Sequence, residues 1–95
     1  MGFKLEISVK ARKDVEAAVN WYDAQIPKLG KKFVNEFRDS LRYIQNYPFA
    51  FKEFDGVNRE VPLKIFPYLI IYEVQEYKII ILGVFNTHQN PTKKT

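Results

Sequence analysis

His88 is the only histidine in the chain, and imidazole is the side chain best placed to exchange a proton at neutral pH. It lies in Phe85-Asn86-Thr87-His88-Gln89-Asn90-Pro91, past the last apolar run, where a solvated ring is the plainer reading. Arg59 follows the Asp55-Gly56 reversal, and its planar fork could hold a phosphate or a carboxylate. An ion pair with Glu60, Glu73 or another carboxylate would use the same geometry. Lys52 and Lys64 fall in the same half of the chain, and adjacent strands could gather them with Arg59 into one basic face, although scattered lysines are ordinarily just solvated. Trp21 stands one step around a helix from the apolar position Tyr22, so it is either an anchor for a partner or partly buried against a sheet. The absence of cysteine excludes a disulfide framework, thiolate zinc sites, iron–sulfur clusters and a cysteine nucleophile. With no phosphate loop, paired metal-ligand spacing or nucleophile elbow either, no metal and no cofactor is expected.

These residues must be carried by a single small domain, residues 1–95, because chains divide only at lengths well above 95 residues. Hydrophobic residues make up 46% of the chain and include eight Phe, six Tyr and one Trp, which is enough apolar surface to fold. No apolar run reaches the roughly 18 residues of a membrane span, and the N-terminus alternates too much for a signal peptide. A cytoplasmic chain with no membrane partner is expected. Fifteen Lys and Arg against eleven Asp and Glu give a net charge of +4, a mild bias toward anionic partners that decides nothing alone.

The opening Phe3-Lys4-Leu5-Glu6-Ile7-Ser8-Val9 alternates as a strand, with Phe3, Leu5, Ile7 and Val9 on one face. From Ala11 the period becomes helical through Val15, Ala18, Val19, Tyr22 and Ile26. This predicts a helix over about 9–26, capped by Ser8 and stopped by Pro27. A short Pro27-Lys28-Leu29-Gly30 connector leads into a second amphipathic helix with Leu29, Phe33, Phe37, Leu41 and Ile44 on its stripe, ending before Asn46-Tyr47-Pro48. The rest reads as strands: Phe49 to Phe54, then Arg59 to Phe66 with an interior Pro62 that marks an edge, then a central hairpin of Tyr68 to Val74 and Tyr77 to Phe85. The polar tail from Asn86 to Thr95 is expected to fray. The order predicts an α+β fold: an antiparallel sheet with an N-terminal strand, a two-helix hairpin packed on one face, and three to four C-terminal strands.

An ordered set of short motifs runs through these elements: Ala11-Arg12-Lys13-Asp14, Trp21-Tyr22 with Gln25, Leu29-Gly30 with Phe33, Ile44 with Pro48, Arg59, Phe66-Pro67-Tyr68 with Ile70 and Tyr72, and Val84 to Pro91. In order and spacing it resembles the RelE/ParE superfamily of type II toxin-antitoxin toxins, especially the ParE-like branch of plasmid stabilisation proteins. The resemblance covers about Lys10 to Pro91 and implies a β-α-α-β-β-β fold and a cognate antitoxin partner, in a heterotetramer or larger complex. RelE-like members cleave mRNA on the ribosome, whereas ParE-like members poison DNA gyrase. The ending departs from the common pattern, in which a His and an Arg stand where this chain has Asn86 and His88.

Cleavage through a 2′-hydroxyl needs a base, an acid and cations around the phosphorane. Arg59, Lys64 and His88, with Glu53 as a base and Tyr68 or Tyr72 as a stacking platform, are the candidates for a ribosome-dependent mRNA endonuclease. That is a thin supply. The resemblance therefore favours a non-enzymatic toxin that binds gyrase and is neutralised by its antitoxin, with Trp21, Arg59, Asn86 and His88 as binding candidates. An inactive relative that keeps only antitoxin binding is the remaining reading.

Overall fold

The computed structural model describes residues 2–88. Gln89, Asn90 and Pro91 of the terminal motif, and most of the tail expected to fray, lie outside the described residues. The chain runs β1 (Lys4–Ile7), α1 (Val9–Gln25), α2 (Leu29–Asn46), β2 (Asn58–Pro62), β3 (Tyr68–Gln75) and β4 (Lys78–Asn86).

Local chemistry sets the helix ends. Ser8 adopts an extended backbone and its Oγ accepts the Ala11 N–H at 3.0 Å, so the N-cap falls where the sequence places it. The same hydroxyl donates to the Leu82 carbonyl at 3.1 Å, tying the start of α1 to β4. Val9 is the first helical residue and is exposed. The expected apolar strand face therefore stops at Ile7, since the change of period at the cap turns Val9 outward. Pro27 ends α1, with Ile26 extended at φ −143°. Lys28 turns the chain into α2 with a left-handed φ of 73°.

The sheet order is β1-β4-β3-β2, and it is mixed rather than purely antiparallel. β2, β3 and β4 pair antiparallel, but β1 lies parallel to β4, with Leu5 opposite Ile79 and Ile7 opposite Ile81. The reason is topological. The helical pair and the 47–57 connection return the chain to its starting end, so β2 runs with β1, and two hairpin reversals then leave β4 along β1 as well. Strand alternation cannot report this, because only a long crossover can join parallel neighbours and periodicity carries no direction.

Both helices cover one sheet face. Tyr22 and Phe33 pack with Phe66 and Tyr68 in an aromatic cluster whose centroids are 4.8–6.2 Å apart, and Ile70, Tyr72, Ile79 and Ile81 continue the core along the sheet. Burial pushes the Tyr22 phenol above its ordinary pKa, and the neighbouring Tyr68 adds to the effect.

Two expectations in the second half are corrected. Residues 49–54 do not form a strand, and their backbone pairing with β2 is the isolated Glu53–Arg59 bridge, made by the Phe54 amide on Asn58 O and the Glu60 amide on Lys52 O. The Arg59 side chain holds the Phe51 carbonyl, while the bridge itself uses the Lys52 carbonyl. β2 ends at Pro62 rather than Phe66; Leu63 and Phe66 stay buried while Ile65 is exposed, because the Lys64 and Ile65 amides turn to the Glu36 carboxylate on α2 instead of a strand. Pro62 does lie on an edge strand, as its missing N–H requires.

Candidate functional site

The sequence candidates fall at separate places. Arg59, near the start of β2, projects to the helix-facing side and is engaged by its own chain. Its Nη1 donates to the Phe51 carbonyl at 2.6 Å and to the Phe49 carbonyl at 3.5 Å. Its Nη2 reaches Glu53 Oε2 at 3.3 Å, and the guanidinium lies 5.3 Å from the Phe49 ring centroid. Below it Tyr72 is fully buried, and its hydroxyl donates to the Pro48 carbonyl at 2.7 Å. Burial pushes the Tyr72 phenol up to about 12, with Arg59 partly opposing the rise. Arg59 and Tyr72 together thus strap residues 48–53 onto the sheet. Glu53, the candidate base, is the partner of Arg59 rather than of His88.

Lys64 and His88 leave the same end of the sheet, one beyond β2 and the other beyond β4, with the start of β3 between them. The Leu63 amide bonds the Tyr68 carbonyl, and the Thr87 amide bonds the Pro67 carbonyl. Lys64 is exposed, and so is His88, whose amide donates to Asn86 Oδ1 at 2.8 Å. Asn86 stands opposite Tyr68 in register. Trp21 is 54% exposed and packs edge-on to Tyr22 at 5.1 Å, on the same aromatic end of the molecule. Arg59 faces the strap and is not part of this group.

Among the described residues, the sheet face turned away from the helices gathers no cluster of cations. Alternation from the buried Tyr72 sends Ile71 and Glu73 to that face, and the register adds Glu60 opposite Ile71 and Glu6 opposite Ile80. Among the described residues its strand lysines, Lys4 and Lys78, sit at one end, where Lys78 Nζ approaches Glu6 Oε2 at 3.5 Å, and Lys10 of α1 reaches the Phe85 ring at the β4 edge, 4.3 Å from its centroid. Among the described residues no group of three or more His, Asp or Glu is arranged to hold a metal ion.

What the molecule does present is a groove at the apolar helix edges, whose lining residues the sequence did not single out as a site. An open cleft of about 300 Å³ runs between α1 and α2 beside β1, floored by Ile7, Val15, Val34, Phe37 and Leu41 and rimmed by Arg12 and Arg38. It adjoins β1, which is an edge strand of the sheet among the described residues. Two helix side chains close the outer carbonyls of that strand: Gln45 Nε2 donates to Phe3 O at 2.5 Å, and Arg12 Nε reaches Ile7 O at 3.4 Å. The signal in the sequence was Val34 and Arg38, four apart and offset from the Phe33–Phe37–Leu41 stripe, which widens the apolar face of α2 toward its neighbour.

A helical hairpin on one face of a four-stranded mixed sheet, with an apolar groove beside the edge strand β1, defines a class of small α+β domain. The family is specific. Residues 5–91 match the model of the ParE toxin of the type II toxin-antitoxin system, parDE, and the chain belongs to that family. Its fold is similar to a chain of the chromosomal ParDE toxin-antitoxin system from P. aeruginosa (TM-score 0.78, 24% identity, covering 88% of this chain and 95% of that one). It is also similar to a mutant of the E. coli toxin RelE in the free state (TM-score 0.71, 16% identity, covering 99% of this chain and 93% of that one). No curated protein matches it. Among the described residues no helix is long and apolar enough to cross a membrane.

Proposed function

We propose that this toxin acts by binding, with DNA gyrase in the cytoplasm as its target, and that a cognate antitoxin neutralises it through the groove and the β1 edge. The observation that carries this reading is the dispersal of the reactive groups. Arg59 is fixed to Phe51 and Glu53, His88 lies beyond β4, and the open sheet face bears Glu60 and Glu73. A carboxylate-lined sheet would repel the phosphates of a bound RNA, whereas a nuclease needs donors gathered around them.

The groove supports the antitoxin half of the proposal. Apolar side chains between two arginines suit an amphipathic segment whose flanking residues are acidic, and its extended continuation along β1 would take over the Phe3 and Ile7 carbonyls that Gln45 and Arg12 hold. Folding and neutralisation are then linked by mass action, because a partner that binds only the native toxin also stabilises it. Trp21, Asn86 and His88, at the opposite aromatic end, remain candidates for target contact.

The test is direct. Expression of the chain alone should arrest growth, co-expression of the adjacent reading frame should restore it, and purified toxin should inhibit gyrase supercoiling. Unimpaired growth at confirmed native expression would leave an inactive relative that retains only antitoxin binding. The second reading, a ribosome-dependent mRNA endonuclease, is favoured by the exposure of Lys64 and His88 at one end of the sheet. New transcript ends within translated codons after induction would establish it in place of gyrase binding.

A further inference from the structure

The 47–57 connection and the end of α2 build an aromatic surface that neither the groove nor the sheet uses. Tyr43, Tyr47 and Phe49 are 53%, 56% and 60% exposed. Tyr43 and Tyr47 lie 5.1 Å apart along α2, Tyr43 meets Phe51 at 5.5 Å, and Phe49 meets Phe3 edge-on at 5.9 Å. Phe54 and Val57, further along the same connection, are also exposed. Large exposed rings are costly in water, and an area of this kind on a monomer marks a contact surface.

The surface is held in place. The Pro48 carbonyl is bound by the Tyr72 hydroxyl, the Phe51 carbonyl by Arg59, and the Tyr47 carbonyl by the Ala50 amide. Rings presented on a fixed backbone lose little freedom on binding, which favours association.

We infer that a second copy of this chain covers this surface, forming a symmetric dimer through Tyr43, Tyr47 and Phe49. The local charge permits self-contact despite the net +4 of the chain, since the two nearby arginines are matched within the chain, Arg59 with Glu53 and Arg42 with Asp39 at 3.5 Å, and the exposed Lys52 is the one lysine of the 47–57 connection. A nucleic acid would need several free cations here, and the connection carries the single lysine Lys52. Area argues for a copy of the same patch. Half-exposed rings of roughly 150–250 Å² each, with Phe54 and Val57, offer on the order of 450 Å² per molecule. Two such patches facing each other remove about 900 Å², the range of a weak, reversible interface, whereas one patch against ordinary polar surface would bury far less apolar area. Aromatic rings with polar tips are also self-complementary, because edges pack on faces in offset pairs. The inference does not depend on the gyrase proposal or the antitoxin groove.

Sedimentation velocity on the purified full-length chain across a concentration series tests it. A reversible monomer–dimer equilibrium is expected, with a Kd on the order of 10⁻⁵ M for an interface of this size. The double substitution Tyr47→Ser with Phe49→Ser should weaken it at least tenfold with an unchanged circular dichroism spectrum, whereas Trp21→Ser, at the other end, should leave it intact. A chain that stays monomeric at millimolar concentration, or a dimer that survives the double substitution, overturns the inference. So does a monomer whose toxicity disappears with the same two rings, since the surface would then belong to a foreign protein.

Discussion

Gly30 donates its backbone N–H to the Asp23 carboxylate at 2.7 Å, and this bond joins the two helices at their turn. The α2 N-terminus has no side-chain cap of its own at Lys28, so a carboxylate from α1 supplies the acceptor. A methyl group on Gly30 would lie 2.7 Å from Val19 Cγ1 and 2.8 Å from both the Val19 carbonyl oxygen and Asp23 Oδ1. The helices approach this closely only because residue 30 has no side chain.

Gly30→Ala is therefore expected to destabilise the fold by about 2–3 kcal/mol, since the Val19 carbonyl cannot rotate away and the helices must separate. Asp23→Ala should cost about 1 kcal/mol through the lost cap. In the double variant the two costs should not add, because the displaced helix no longer offers its amide at bonding distance. Urea unfolding of the four proteins measures all three quantities; additive losses would mean that the contact and the bond act separately.

The strap yields a second prediction. Arg59→Lys keeps the charge but cannot donate to Phe51, Phe49 and Glu53 together, so a loss of about 1–2 kcal/mol is expected. Hydrogen exchange should rise in residues 49–54 and stay unchanged in β3 and β4. Loss of toxicity with native stability and exchange would instead make Arg59 a residue that touches the target.

How far the sequence reveals these arrangements depends on the range of the interaction. Ser8, Pro27 and the Asp55-Gly56 reversal are legible because their partners lie within three residues: Asp55 Oδ1 accepts the Val57 and Asn58 amides, and Gly56 takes φ +86°. Asp14 shows the opposite case. In sequence it is an acidic residue early in a helix, but its carboxylate accepts the Val84 amide 70 residues away. Nothing local marks that bond, just as nothing in an alternating pattern states that β1 runs parallel to β4. The reactive candidates were legible as residue types only. Their dispersal is a property of register, and so is the groove, whose walls come from three elements.

Tyr72 gives the fold a measurable response to alkali. Its phenol ionises near 10 in the unfolded chain and near 12 in the native one, so between those values the unfolded state holds fewer protons and stability falls as pH rises. The loss approaches 2–3 kcal/mol once both limits are passed. Tyr72→Phe should be less stable than the parent at pH 8, where it lacks the bond to Pro48, and should close that gap by pH 11. Urea midpoints at the two pH values decide the point; a constant gap would place the phenol in water.

Asp55 should respond at the other extreme. Hydrogen bonds from the Asn58 and Val57 amides hold its carboxyl below the ordinary value of 3.8. The lowered native value means that its contribution is complete above pH 4 and is lost as pH falls through the native pKa. Asp55→Asn keeps an acceptor for the turn but removes the titration, so its stability should decline less steeply than that of the parent below pH 4. The carboxylate is exposed, so the difference should be small and should be clearest in amide exchange at Val57 and Asn58 rather than in global unfolding.

Asp14 makes the last prediction, because it guards the part of β4 that β1 does not cover. β1 pairs with β4 only as far as Ile81, and beyond that point the Val84 amide is satisfied by Asp14 Oδ2 at 2.9 Å, an oxygen that also accepts from Lys10 Nζ at 2.8 Å. Lys10 in turn lies 4.3 Å from the Phe85 ring centroid. Asp14→Ala leaves the Val84 amide without its acceptor in a partly covered position and should cost about 1–2 kcal/mol. Asp14→Asn retains an acceptor oxygen and loses only the exposed ion pair, so it should cost a few tenths of a kcal/mol. Exchange of the Val84 amide should follow the same order, fast in the alanine variant and near the parent rate in the asparagine variant. Equal losses in both would assign the stabilisation to the Lys10 charge rather than to the strand edge.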